Sequence, residues 1–269
     1  MRQQEEEEEE EEGEKMDYKL LTVEQWNAHW EKECETKVTG GSEDENIPSA
    51  VSGDIHEEGD GCSDIFGGVN PMVVKHKEVV FPKEVNDGKG RVFLPLCGNS
   101  KELRWFAEQG KTVIGIECSS HCIVSFFLKN KIEYVETKHS TDENFVVFKS
   151  VDKKLDITLY CGDYFCGLNS SLIGGKVDVI WDSASLNTIS LPLRTPYIKV
   201  MKELMHSKTR YLLSAMFFGP LKTWANNPYD ISVDDMSLLF NHDFWSTEVI
   251  DEDSTEWGTE QIFLIGVKG

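Results

Sequence analysis

The chain has 269 residues, with 48 acidic against 27 basic side chains for a formal net charge of −21, and 39% of its residues are hydrophobic. That length and composition supply a full hydrophobic core and exclude wholesale disorder. The charge excludes tracking of a phosphate backbone or an anionic lipid surface unless a basic patch is hidden in it, and no basic cluster with interleaved aromatics appears. The acidity is unevenly placed: residues 1–70 carry 22 acidic and 5 basic side chains, net −17, whereas residues 71–269 are close to balance at −4. Eight consecutive glutamates, Glu5 to Glu12, repel one another and bury nothing, so residues 1–15 read as a disordered acidic tail ahead of a single domain over 16–269. No apolar run approaches about 18 residues and no signal pattern opens the chain, which points to a cytoplasmic protein, expected to be a monomer.

In chain order, Thr22-Val-Glu-Gln25 reads as a capping box for a helix with Trp26 and Trp30 one turn apart. Residues 35–69 are rich in Gly, Ser, Asp and Glu and lack periodicity, so a long acidic loop is expected there, with Phe66 as its large aromatic. Asn70-Pro71 suits a helix start. A short apolar run, Arg91 to Cys97, ends at Gly98, and a helix capped by Ser100 follows, with Gly110 placed to end it. Val113–Glu117 is a second buried-strand run, followed by a helix over about 120–130. Further strand-like runs are Ile132–Thr137, Asn144–Lys149, Ile157–Cys161, Val177–Asp182 and Arg210–Phe217, with helices near Leu193–Met205 and Val233–Phe240. Glu248–Asp251 and Gln261–Val267 close the chain with no helix between them, as an antiparallel hairpin would. Strands alternating with helices predict a doubly wound α/β sheet.

The seven cysteines are odd in number and form no C-x-x-C pair, which fits reduced thiols. Cys118, His121 and Cys122 lie close together but lack a second pair at zinc spacing, so they read as packing residues at a helix start and no metal is expected.

Ligands of open α/β sheets sit beyond the carboxyl ends of the strands, where strand order reverses. The first such turn here is Leu96-Cys97-Gly98-Asn99-Ser100, and Glu117 follows Gly98 by 19 residues, an offset that suits a carboxylate gripping ribose hydroxyls. One glycine is too few for the close backbone approach that a pyrophosphate needs. A nucleoside without phosphates, of which S-adenosyl-L-methionine is the common example, fits this loop better than NAD.

Four stretches, Thr22 to Trp30, Val92 to Gly98, Val113 to Glu117 and Val177 to Asp182, resemble the thiopurine S-methyltransferase family in order and approximate spacing, and Pro95 to Trp105 is close to a family signature. The resemblance covers most of residues 18–267. It implies a class I methyltransferase: a Rossmann-like, seven-stranded, mostly parallel sheet with an antiparallel last strand, N-terminal elements that cap the cofactor, and S-adenosyl-L-methionine as that cofactor. By position it assigns Leu96 and Gly98 to the amino-acid and ribose portion, Glu117 to the ribose hydroxyls, and Asp163 and Tyr164 to the adenine. Trp26, Trp30 and Phe66 match cofactor-contacting aromatics, whose faces attract a sulfonium cation. Asp182 and Ser183 fall at the border of cofactor and acceptor. No general base is expected, because the leaving group is already activated and an aromatic thiol ionises near neutral pH.

Two departures lie on the acceptor side. The family usually places an arginine directly after the aspartate of the fourth strand, where this chain has Ser183, and Leu221 to Tyr229 replaces a G-P-P-F-like loop. Serine offers no fixed cationic fork to a substrate anion. Lys222 could return a positive charge from another direction. The expected activity is methyl transfer to small aromatic or heterocyclic thiols. A different small acceptor on the same fold, and a non-catalytic cofactor-binding relative, are the competing readings.

Overall fold

In the computed structural model of the chain, the described residues are 68–82, 90–223, 227–256 and 258–268. The acidic tail, Trp26, Trp30, Phe66 and nearly all of the 35–69 segment lie outside them. The first described elements are two short helices, α1 (Pro71–Lys75) and α2 (Lys77–Val80). Asn70 caps α1 as its position before proline predicts, accepting from the Met72 amide at 2.7 Å.

Among the described residues nine strands form one sheet: β1 (Arg91–Leu94), β2 (Thr112–Glu117), β3 (Tyr134–Lys138), β4 (Val146–Ser150), β5 (Ile157–Cys161), β6 (Val177–Ser183), β7 (Met205–Phe217), β8 (Trp245–Thr255) and β9 (Gly258–Val267). Their spatial order is β3-β4-β5-β2-β1-β6-β7-β9-β8. Strands β5, β2, β1, β6 and β7 are mutually parallel, and β9 runs antiparallel between β7 and β8. The sheet between β5 and β8 therefore has the seven-stranded arrangement that the resemblance implies, including the closing hairpin. The two extra strands, β3 and β4, pair antiparallel with each other and add to β5. The chain between them is too short for a crossover helix, so only a hairpin can join them. Outermost β3 presents exposed Glu136 and Lys138, charges that discourage further pairing along that edge.

Helices α3 (Lys101–Glu108) and α4 (Ser120–Lys129) pack with α1 on one face, and α6 (Leu191–Leu204) and α7 (Val233–Leu239) on the other; a single-turn helix, α5 (Ser185–Thr188), follows β6. Side chains alternate between the two cores along each strand, as a pleated strand buried on both sides requires. In β1, Val92 and Leu94 join the core under α3, while Phe93 joins that under α6. The first run stops at Leu94 rather than Cys97, because Pro95 has no N–H to donate and Leu96 turns left-handed with φ 43°. Strands β7 and β8 begin earlier than their apolar stretches predict, since both pair along the whole length of their neighbours.

Candidate cofactor and acceptor site

The switch in strand order falls at β1, which lies between β2 and β6. Three residues in left-handed backbone gather at the carboxyl ends of these neighbouring strands: Leu96 (φ 43°) and Gly98 (φ 49°) after β1, and Ala184 (φ 56°) after β6. For leucine and alanine that conformation costs about 1–2 kcal/mol each, and such outliers concentrate at functional sites. The loop is seated by hydrogen bonds from Cys97 N to Ile116 O at 2.9 Å and from Ser100 N to Cys97 O at 2.9 Å. Gly115 permits that seat: a Cβ there would stand 2.7 Å from Cys97 Sγ and 2.8 Å from Leu159 Cδ2. A Cβ on Gly98, by contrast, would meet no atom within 4 Å, so the loop backbone at Gly98 borders open space.

Glu117 ends β2 and is buried. Its Oε2 accepts from the Gly98 amide at 3.0 Å, while Oε1 accepts from the Ser119 amide at 2.9 Å and from the Cys118 thiol at 3.3 Å. The 19-residue offset thus closes into a direct contact between the acidic side chain and the glycine. A carboxylate has about four acceptor positions, so three donors leave capacity for a further hydroxyl. Two thiols border Glu117. Burial first, and the negative Glu117 second, push the Cys118 thiol well up and that of Cys161 up to about 11, so both stay protonated at neutral pH. Cys122 is disulfide-bonded, which corrects the expectation that all seven thiols are reduced.

Two residues beyond β5, Asp163 accepts from the Phe165 amide at 2.8 Å and from the Cys166 thiol at 3.3 Å in an Asx-type turn, and its carboxylate remains partly exposed. The turn is tied to β2 through Gly162 N to Glu117 O at 3.0 Å. Leu96, Gly98, Glu117 and Asp163 therefore share one edge of the sheet. Tyr164 points elsewhere: its ring stacks on Tyr197 at 4.7 Å and its hydroxyl donates to Tyr197 O at 2.9 Å inside the core.

Asp182 is fully buried and is likewise turned inward. It accepts from the hydroxyls of Tyr197 (2.7 Å) and Tyr211 (2.8 Å) and from the Ser185 amide (2.9 Å). Burial pushes its carboxyl up, and the two tyrosine hydroxyls and the amide pull against that shift. Ser183 is the half-buried residue that follows, and it pairs with Ser214 of β7. Lys222 donates to Pro228 O at 2.7 Å and lies 5.6 Å from the Tyr229 ring, so its charge is directed at its own loop.

Sequence patterns carry no signal for two further clusters along this edge. Asn70 N donates to Glu102 Oε1 at 2.6 Å and Asn70 Nδ2 to Glu260 Oε1 at 3.1 Å, while Ser100 and Ser214 donate to the same two carboxylates. Asn187, on α5, hydrogen-bonds both Met216 and Tyr229. Only the fold brings these residues together.

Comparison with known proteins identifies the family. The profile of the thiopurine S-methyltransferase family matches residues 66–263. The chain belongs to the thiopurine S-methyltransferase family. A probable thiopurine S-methyltransferase of Danio rerio is 32% identical over 189 residues, covering 66% of this chain and 78% of that protein. The thiopurine S-methyltransferase of Oryctolagus cuniculus is 32% identical over 178 residues, covering 64% and 71%. Among solved structures, magnesium protoporphyrin IX methyltransferase from Synechocystis is similar with a TM-score of 0.53 at 15% identity, covering 74% of this chain and 83% of that one. This likeness is one of fold. The chain is therefore an S-adenosylmethionine-dependent methyltransferase of that family, and the open backbone at Gly98 beside a carboxylate with spare acceptor capacity fits that cofactor. Among the described residues no helix is long and apolar enough to cross a membrane, and no cluster of metal-ligating side chains occurs.

Proposed function

We propose that this methyltransferase transfers its methyl group to small aromatic or heterocyclic thiols, those with no further anionic group in preference to those that carry one. The observation that carries this reading is the contrast at the ends of β1, β2 and β6: Gly98 and Glu117 meet as a nucleoside cofactor would need, while Ser183 stands where a substrate's fixed anion would need a cation. When bound, S-adenosyl-L-methionine supplies a methyl group already activated on a sulfonium.

The protein's own part is binding and alignment. Leu96 and Gly98 lie against the amino-acid and ribose portion, Glu117 accepts from the ribose hydroxyls, and Asp163 accepts from the adenine amino group. The Tyr164 ring lies in the core, so its share in adenine binding falls to its backbone. Trp26, Trp30 and Phe66 supply aromatic faces from the N-terminal segment. Asp182 holds the floor of the site through the two tyrosines and is not a base, since all its contacts are with donors of the fold. A thiol whose pKa is near neutral enters partly as thiolate and needs none. The protonated Cys118 and Cys161 are poor nucleophiles and do not compete for the methyl group. We read the protein as a cytoplasmic monomer, with residues 1–15 as an appendage to the catalytic domain.

Calorimetry with S-adenosylhomocysteine and with NAD tests the donor side; binding of NAD alone would sink the assignment. A panel of thiols that includes thiophenol and 6-mercaptopurine tests the acceptor side. Methylation of thiophenol with a higher kcat/KM than 2-mercaptobenzoate, which adds a fixed carboxylate, supports the proposal, and cofactor binding without turnover of any thiol refutes it.

A further inference from the structure

Strand β7 ends at Phe217 and the chain returns alongside it at Ile231, whose amide donates to Met216 O at 3.2 Å, so the described residues 218–223 and 227–230 form the two arms of an excursion from the end of β7. A short 3₁₀ turn, Gly219–Leu221, opens the excursion, and exposed Phe217 and Leu221 give it an apolar surface. What holds this excursion in place is one buried carboxamide. Asn187 is 1% exposed and uses its whole side chain: Nδ2 donates to Met216 O at 2.8 Å and to Tyr229 O at 2.7 Å, and Oδ1 accepts from Met216 N at 3.0 Å. Its main-chain carbonyl accepts from Tyr229 N at 2.7 Å. Asp230 closes the loop from inside, its Oδ1 accepting from Phe218 N at 2.6 Å and from Gly219 N at 3.2 Å. Arg194, itself buried, donates to Asp230 O at 2.8 Å.

Asn187 lies four residues after Ser183 in the same turn of chain, so the clamp and the acceptor border share one rigid support. The carboxamide suits the task because it presents one acceptor edge and one two-proton donor edge to three backbone groups at once, which no other side chain of that size does. An extra hydroxyl, a carboxylate or an alkyl group would each leave buried carbonyls or an amide unpartnered.

We propose that Asn187, seconded by Asp230, is a positioning residue for the methyl acceptor: it ties the two arms of the excursion, at Phe218–Gly219 and Tyr229–Asp230, to the turn that follows Ser183, and so governs acceptor affinity while leaving the donor edge alone. The inference rests on the thiol-methyltransferase reading above. Asn187→Asp is nearly isosteric, but it turns the donor edge into an acceptor facing two carbonyls. Steady-state turnover of thiophenol by the full chain is expected to show a rise of about tenfold in acceptor KM, with kcat within about threefold of wild type. The Kd of S-adenosylhomocysteine by calorimetry should stay within about twofold. Asp230→Ala opens the same loop without touching the carboxamide, and serves if Asn187→Asp does not fold. It should raise KM in the same way, and Asp230→Asn, which keeps the accepting oxygen, should raise it less. An unchanged acceptor KM in folded Asn187→Asp or Asp230→Ala overturns the clamp. So does a parallel loss of cofactor affinity, which would mark a merely structural role. If the wild-type chain binds the cofactor yet methylates no thiol, the failure lies with the proposed function, and the clamp assignment falls with it.

Discussion

The proposed donor edge and the proposed acceptor edge of this site are built in different ways. Around Gly98 and Glu117 the residues that matter are separated by one strand–helix–strand unit, and each is placed by its nearest neighbours: a loop amide, the adjacent strand, a glycine that admits a thiol. After β6 and β7 the excursion is tied down by Asn187, Arg194 and Asp230, drawn from two helices and the loop itself and joined to backbone groups up to 42 residues away. A unit made of local contacts can be inherited as a motif. A wall made of long-range clamps can change its lining while the clamp survives, and the acceptor side is where this chain departs from its family.

Substitutions can break or sharpen that division. The largest effect is expected at Asp182, where the two edges meet. Asp182→Ala orphans two buried tyrosine hydroxyls and an amide, and should cost about 4 kcal/mol in urea unfolding. A cost below about 1 kcal/mol would show that the tyrosines find other partners and that the edges do not share a support. Next is Glu117→Ala, expected to weaken S-adenosylhomocysteine binding by at least about 1.5 kcal/mol, as loss of a charge-assisted hydrogen bond does, with acceptor KM little changed. Unchanged affinity in the folded variant would remove Glu117 from the donor edge.

Ser183→Arg probes the other side. It should raise kcat/KM for an anionic heterocyclic thiol roughly tenfold, the worth of one charge-assisted bond, and leave thiophenol near its wild-type value. No gain would mean that the acceptor approaches from a different direction. The smallest effect is expected away from both edges, where Lys75 (2.5 Å) and His76 (2.6 Å) of the α1–α2 segment meet Asp251 of β8 and hold its carboxyl down to about 2. A depressed carboxyl stabilises the fold above its ordinary value, and that contribution fades as the pH falls through the folded one. The Tm difference between wild type and Asp251→Asn should thus be present above about pH 4 and shrink toward pH 2, with both substrate affinities untouched.

How much of this was legible in advance follows the same division. The Leu96–Ser100 turn and Glu117 could be read as a pair because their spacing reflects a repeating structural unit, and β-period alternation marks both flanking strands. Even there, the side chains of Tyr164 and Asp182 were not legible: Tyr164 lies in the turn after β5 and Asp182 near the end of β6, both adjacent to the site, yet the packing and the neighbouring tyrosines turn them into the core. The β3–β4 hairpin was visible as two strand-like runs, but which edge it joins was not. Asn70 was legible as a helix cap but not as a donor to Glu102 and Glu260, and Asn187 gave no signal, since a lone asparagine in a mixed stretch looks like a turn residue until its partners are known.

Sequence alone determined the fold class, the uneven charge, the donor loop and its carboxylate, because apolar periodicity and motif spacing are local properties that chain connectivity preserves. Tertiary structure decided which polar side chains face the site and which are spent inside it, and what holds the acceptor wall. Those are questions of hydrogen-bond satisfaction in a buried setting, where each donor must find an acceptor from whatever segment the packing brings near.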